Sequence, residues 1–150
     1  MLLLVLALLA APPVAPTGVA VFDRLKKLEG NWKSKDGQSL SVRVTASGRA
    51  VVGSLTGADH ALVSVTVFHL EGAELVAAFD GALHGALRLS SATERLAKLE
   101  ARSDPGSPLL WLSLVTKDAD SLTFAVTTRN GANDVEEATA LTREYVETLK

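Results

Sequence analysis

Three histidines, His60, His69 and His84, are the side chains of this chain best suited to proton transfer or metal binding near neutral pH. Their spacing builds no local metal site, since no His-x-His or His-x-x-x-His pair occurs. His60 follows Asp59 in a polar stretch and reads as a solvated loop residue. His69 alternates with Val63, Val65 and Val67, so on a strand it shares their face and could point into a cavity or cap a hairpin. His84 lies in Gly81-Ala82-Leu83-His84-Gly85, a loop suited to the rim of a barrel. A single proximal histidine suffices for haem, and catalysis would need His69 or His84 within hydrogen-bond reach of Asp80. No second haem signature accompanies either residue, so no cofactor is expected.

The remaining chemistry is sparse. Asp118 with Asp120 and Glu136 with Glu137 are the carboxylate pairs. The first sits in a turn, and the second consists of strand neighbours that face opposite ways. Gly53-Ser54 lacks the spacing of a nucleophile elbow, and no glycine-rich phosphate loop is present. With no cysteine there is no thiolate nucleophile and no Cys-ligated metal. The expectation is a protein without catalytic or metal-ligating residues.

What would position a binding site is a single domain. The chain has 150 residues, 47% hydrophobic and 21% charged, in the range of an ordinary globular fold. A net charge of −2, with basic residues densest only at Arg24, Lys26 and Lys27, argues against nucleic acid as a partner. No charged side chain precedes Asp23. Leu2 to Leu9 is apolar and is followed by small residues and Pro12-Pro13, the pattern of a secretory signal peptide. The prolines interrupt the run well short of the roughly 20 residues that span a bilayer, so no stable membrane span is expected once the leader is removed. Cleavage after Ala10 or after Ala20 both fit, and the second assigns residues 1–20 to the leader and 21–150 to the mature domain. A signal-anchor or a cytosolic tail are the alternatives to export.

From Leu40 onward the pattern is that of strands. Leu40, Val42 and Val44 alternate with polar residues, and Ser47-Gly48 turns the chain back toward Leu55. Leu62 to Leu70 is rich in Val, Thr and Phe, and Glu71-Gly72-Ala73-Glu74 folds it onto Leu75 to Phe79. Glu94 to Arg102 suits helix by composition and strand by alternation; its place between strands favours strand. Leu109 to Thr116, Leu122 to Thr127 and Val135 to Arg143 complete the series, the last two joined through Asn130-Gly131. Nine or ten short strands with short connections imply an all-β, up-and-down antiparallel barrel, because closure removes exposed edges. A short helical lead-in, Phe22 to Leu28, precedes it.

Gly30-Asn31-Trp32 after that lead-in resembles the first-strand signature of lipocalins and the wider calycin group. Val67-Phe68-His69-Leu70-Glu71-Gly72 and the closing Ala140-Leu141-Thr142-Arg143 resemble bacterial lipocalin-like domains of little-known function. The chain departs from those relatives at Ala78-Phe79-Asp80-Gly81, where they often carry a polar segment. The resemblance implies that Trp32 plugs one end of the barrel, that Gly30 lets the backbone pass close by, and that Arg143 stacks on Trp32, within about 6 Å of its ring. A pocket then belongs at the other end, lined by Phe79, His84, Leu112 and Phe124 among inward sets such as Leu40, Val42 and Val44, Leu110 to Leu114, and Leu122 to Val126. The expected ligand is an apolar or amphipathic small molecule. The competing expectation is an envelope module that interacts with proteins and has a filled barrel, and a third is an enzyme or haem binder using His69 or His84. The ligand's identity and the oligomeric state are left open by the residues.

Overall fold

The computed structural model of the chain describes residues 16–81, 84–101 and 109–145. The leader expected at the N-terminus lies, up to residue 15, outside the described residues. One helix, α1 (Gly18–Lys26), leads into ten strands. These are β1 (Gly30–Lys33), β2 (Ser39–Val44), β3 (Ala50–Thr56), β4 (Leu62–Glu71), β5 (Glu74–Asp80), β6 (His84–Ala92), β7 (Leu96–Ala101), β8 (Leu109–Asp118), β9 (Ser121–Asn130) and β10 (Asn133–Glu144). Each strand pairs antiparallel with its sequence neighbour, and β10 pairs with β1, so the sheet closes as an up-and-down barrel. Within the Glu94 to Arg102 stretch, Leu96–Ala101 is strand β7, and Arg102 lies outside the described residues. The pairing of β7 to both neighbours overrides a composition that suits helix.

α1 starts earlier than the alternation after Phe22 implies. Thr17 has extended backbone angles and its hydroxyl accepts from the Ala20 N–H at 3.2 Å, which caps the helix. Arg24 and Lys26 in its last turn suit the negative end of the helix dipole. Val21, Phe22 and Leu25 form one buried stripe, and that stripe lies across one end of the barrel. Arg24 ties α1 to the β6–β7 hairpin by donating to the carbonyls of Thr93 and Leu96. Gly18 lies against the β4–β5 hairpin so closely that a Cβ there would come within 2.5 Å of the Ala73 carbonyl oxygen. A cut after Ala20 would fall within α1, whereas a cut after Ala10 leaves its cap intact.

The core is one cluster inside the barrel, from Val21, Phe22, Leu25, Leu28 and Trp32 at the helix end to Leu87, Leu99, Leu110 and Leu112. The expected inward sets of β2, β8 and β9 all face it, with Val44 and Val126 packed at its margin. On β4 the inward face is the opposite of the one the valines suggest. Ser64, Thr66 and Phe68 are buried there, while Val63 is 47% exposed on the outer face.

Candidate functional site

The helix end is a sealed floor. Trp32 is 0% exposed, and its indole N–H donates to the Leu28 carbonyl at 2.9 Å. The Arg143 guanidinium lies 4.3 Å from the Trp32 ring centroid, inside the 6 Å that the stacking requires. The same guanidinium donates through Nη1 to the Glu29 carbonyl at 2.8 Å, through Nη2 to Lys27 at 3.1 Å and through Nε to Ala119 at 3.3 Å. One planar cation therefore joins the end of α1, the start of β1 and the β8–β9 turn, which a lysine could not do with a single point charge. Gly30 has φ +143°, and a Cβ there would meet Arg143 Nη1 at 3.0 Å. Only glycine both adopts that backbone and leaves room for the arginine.

Neighbouring residues of the signature are pinned as well. Glu29 accepts the Val44 N–H at 3.0 Å, and Arg43 donates to the Gly30 carbonyl at 3.0 Å and to Asn31 Oδ1 at 2.7 Å. Sequence reasoning missed Arg43 and Glu29. Neither carries a pattern signal, and both act only because β2 lies beside β1. Asp118 and Asp120 serve the same end: the Asp118 carboxylate accepts the Asp120 N–H at 2.9 Å, the Asp120 backbone carbonyl accepts the Arg143 N–H at 2.9 Å, and the Asp120 carboxylate accepts the Tyr145 hydroxyl. The Asp120 N–H holds the Asp118 carboxyl below its ordinary range, and the bond to Asp120 pushes the Tyr145 phenol up. These carboxylates brace the β8–β9 turn and the end of β10.

Above the floor lies a cavity of about 20 Å³, lined by Leu25, Leu28, Leu40, Val42, Val51, Gly53, Phe68, Leu114, Leu122 and Phe124. Its lining is wholly apolar side chain and glycine, and its volume is that of about one water molecule. Phe124 lines it, while Phe79 and Leu112 belong to the same core without bordering it. Phe79 is 6% exposed, Leu112 0% and Phe124 3%. Phe79 sits toward the opposite, mouth end, where a Cβ on Gly81 would meet its ring at 3.1 Å and Ser64 Cβ at 3.0 Å.

At the mouth end the lumen wall gains polar groups. Ser64 and Thr66 are buried on the lumen face of β4, at 5% and 1% exposure. Across the barrel, the Thr139 hydroxyl of β10 donates to Gln38 Oε1 at 2.8 Å. Among the described residues no fully buried side-chain polar atom lacks a hydrogen-bond partner.

The histidines do not meet there. His69 stands on the outer face of β4, its imidazole 3.6 Å from Glu71, beside the Arg88 ion pairs with Glu71 at 3.1 Å and Glu74 at 2.6 Å. The expectation that His69 could point into a cavity is therefore corrected: Phe68 and Leu70 take the lumen face, and strand alternation sends His69 outward. His84 opens β6 opposite Asp80, so it is strand and not loop, and its side chain lies outside the described residues. His60 adopts φ 65° in the exposed β3–β4 loop. Among the described residues no cluster of three potential metal ligands occurs, and no helix is long and apolar enough to cross a membrane. Trp111 is also outside the lumen, held between Lys98 Nζ at 4.7 Å and Arg129 at 5.3 Å from its ring centroid.

No protein-family model matches the chain, and comparison with curated proteins finds no match. The closed ten-stranded antiparallel barrel is compatible with a lipocalin-like fold.

Proposed function

We propose that the protein is an exported, lipocalin-like barrel that binds an apolar or amphipathic small molecule at its mouth end without chemistry. The observation that carries this reading is the polarity gradient of the lumen wall. The floor half is apolar and sealed, while buried hydroxyls of Ser64 and Thr66 stand among apolar groups toward the mouth. Apolar walls with a few fixed polar groups are what small-molecule sites require. Gly30-Asn31-Trp32 stacked under Arg143 supports membership of the lipocalin-like group, and the uncharged, apolar start of the chain supports export. His69, turned away from the lumen, supports a site that holds and does not react. The test is native mass spectrometry of protein purified from its own host. A co-purifying small molecule whose occupancy drops in Thr66→Val is the expected result. Its absence across preparations rejects the reading, and a Soret band would replace it with haem binding.

A second reading, a filled barrel acting as an interaction module, is favoured by how little space the floor half keeps, a cavity of about 20 Å³. This lies far below the roughly 300 Å³ at which ligand pockets usually begin. Leu62 and Val63, exposed by 64% and 47% on β4, would then belong to a docking face.

A further inference from the structure

The barrel closes through a short seam. β10 has 12 residues, but only Thr142, Arg143 and Glu144 pair with β1, opposite Lys33, Trp32 and Asn31. β1 ends at Lys33, and the chain then turns through 34–38 into β2. The part of β10 from Asn133 to Leu141 therefore has strand pairing along one side only, to β9, and on its other side a single side-chain bond, from the Thr139 hydroxyl to Gln38 of the β1–β2 turn.

The direction of its peptide groups follows from the register. The Arg143 N–H donates to the Asp120 carbonyl on the β9 side. Partners on β9 and β10 run without a break from Thr142 opposite Ser121 to Asn133 opposite Asn130. Antiparallel strands alternate the side to which each residue's N–H and C=O point. Val135, Glu137, Thr139 and Leu141 therefore bond to β9. Asp134, Glu136, Ala138 and Ala140 turn their peptide groups to the side that β1 has left. Those four residues are exposed, and among the described residues their backbone groups have no strand partner.

Such an edge is a template for an added strand. Proteins blunt edges with charged side chains, proline or bulges; Asn133 to Ala140, Asn-Asp-Val-Glu-Glu-Ala-Thr-Ala, has no proline and no register shift against β9, and its charges are all acidic, so they repel acidic strands and leave a basic one free to pair. Its charge decides the occupant. Asp134 is committed to Arg129 through two bonds, of 2.6 and 3.0 Å. Glu136 and Glu137 are exposed on the two faces of the strand, and no ion pair holds either among the described residues. A second copy pairing β10 with β10 would bring two such acidic strands together. A basic strand would instead be drawn in.

We propose that the open edge of β10, Asp134 to Ala140, is a β-addition site for an extended basic segment of a partner protein. The added strand continues the line of β1 beyond Lys33 over about seven residues, roughly 23 Å. Backbone bonds to Asp134, Glu136, Ala138 and Ala140 hold it, and its Lys or Arg side chains meet Glu136 and Glu137. The site lies outside the lumen and does not depend on a bound small molecule.

The test uses the full chain and a fluorescent octapeptide of repeating Lys-Lys-Val-Val, which offers lysine on both faces of the added strand. Expected is saturable binding that falls with salt, weakens roughly tenfold in E136Q/E137Q, and newly protects the amides of Asp134, Glu136, Ala138 and Ala140 from hydrogen exchange. Ala138→Pro removes one of the edge N–H groups without touching the β9 ladder, a position where strands tolerate proline, and should abolish binding while the Trp32 fluorescence of the folded barrel is kept. The exchange and E136Q/E137Q readouts stand even if the proline variant fails to fold. Binding without new protection of those four amides overturns the proposal, as does equal binding of a Glu-Val peptide. A dimer in sedimentation that Ala138→Pro dissolves would overturn the basic occupant and assign the edge to a second copy.

Discussion

The two ends of this barrel are built on opposite principles. At the floor, backbone carbonyls from three segments converge on one guanidinium, and Leu25 and Leu28 cover an apolar cavity of about 20 Å³. At the mouth, β10 runs on past its partner strand and its wall residues surface, so that Val135 is 54% exposed although it shares the lumen-side register of Leu141, which is 3% exposed. One strand thus serves a closed region and an open one. The difference shows that closure of a sheet is local: three residue pairs between β1 and β10 make the barrel, and the rest of β10 pairs as a strand with β9 alone.

Substitutions measure how deep that contrast runs. Trp32→Ala should cost about 3–5 kcal/mol in denaturant unfolding, the largest effect of the set. A loss below about 1 kcal/mol would mean the floor is not the stabilising end. Along β10, Leu141→Ala should cost about 2–5 kcal/mol, whereas Val135→Ala should stay within about 0.5 kcal/mol because its side chain is already in water. Equal costs at the two positions would erase the distinction between the ends. Gly30→Ala should cost about 1–3 kcal/mol for its backbone region alone, and Arg143→Lys in that background should not restore the loss, since the carbonyl fork is gone.

Acid gives the smallest effect. The Arg129 side chain holds the Asp134 carboxyl low, and the Asp120 N–H does so for Asp118. Both carboxyls bind protons more weakly folded than unfolded, so their contribution is present above about pH 4, the ordinary carboxylate value, and is lost as pH falls through the lower folded values. Both groups are solvent-exposed, so the thermal midpoint should decline only gently below that pH, and Asp134→Asn should flatten the decline. A midpoint that rises on acidification would contradict the assignment.

Much of the architecture was legible because it rests on local rules. Period-two alternation marks Leu40 to Val44 and Leu122 to Val126, and the Asn130-Gly131 turn marks the last hairpin. The pairing of Trp32 with Arg143 could be anticipated from a resemblance but not from spacing, since 24 or more residues separate Arg143 from each carbonyl it binds. The face of β4 was left open by the pattern for a physical reason. Valines mark a buried face only when nothing larger competes, and Phe68 and Leu70 take the lumen on the alternate positions. Ser64 and Thr66 were overlooked for the same reason.

By itself the sequence determined a single all-β meander with a helical lead-in and an apolar start, because turn chemistry, alternation and composition act between neighbours. Tertiary structure alone decided which face of β4 is wet, that one arginine would gather three distant carbonyls under Trp32, and that β1 would stop at Lys33 while β10 ran on. Those outcomes depend on which strands lie side by side and where each one ends, and that is settled only when the sheet closes.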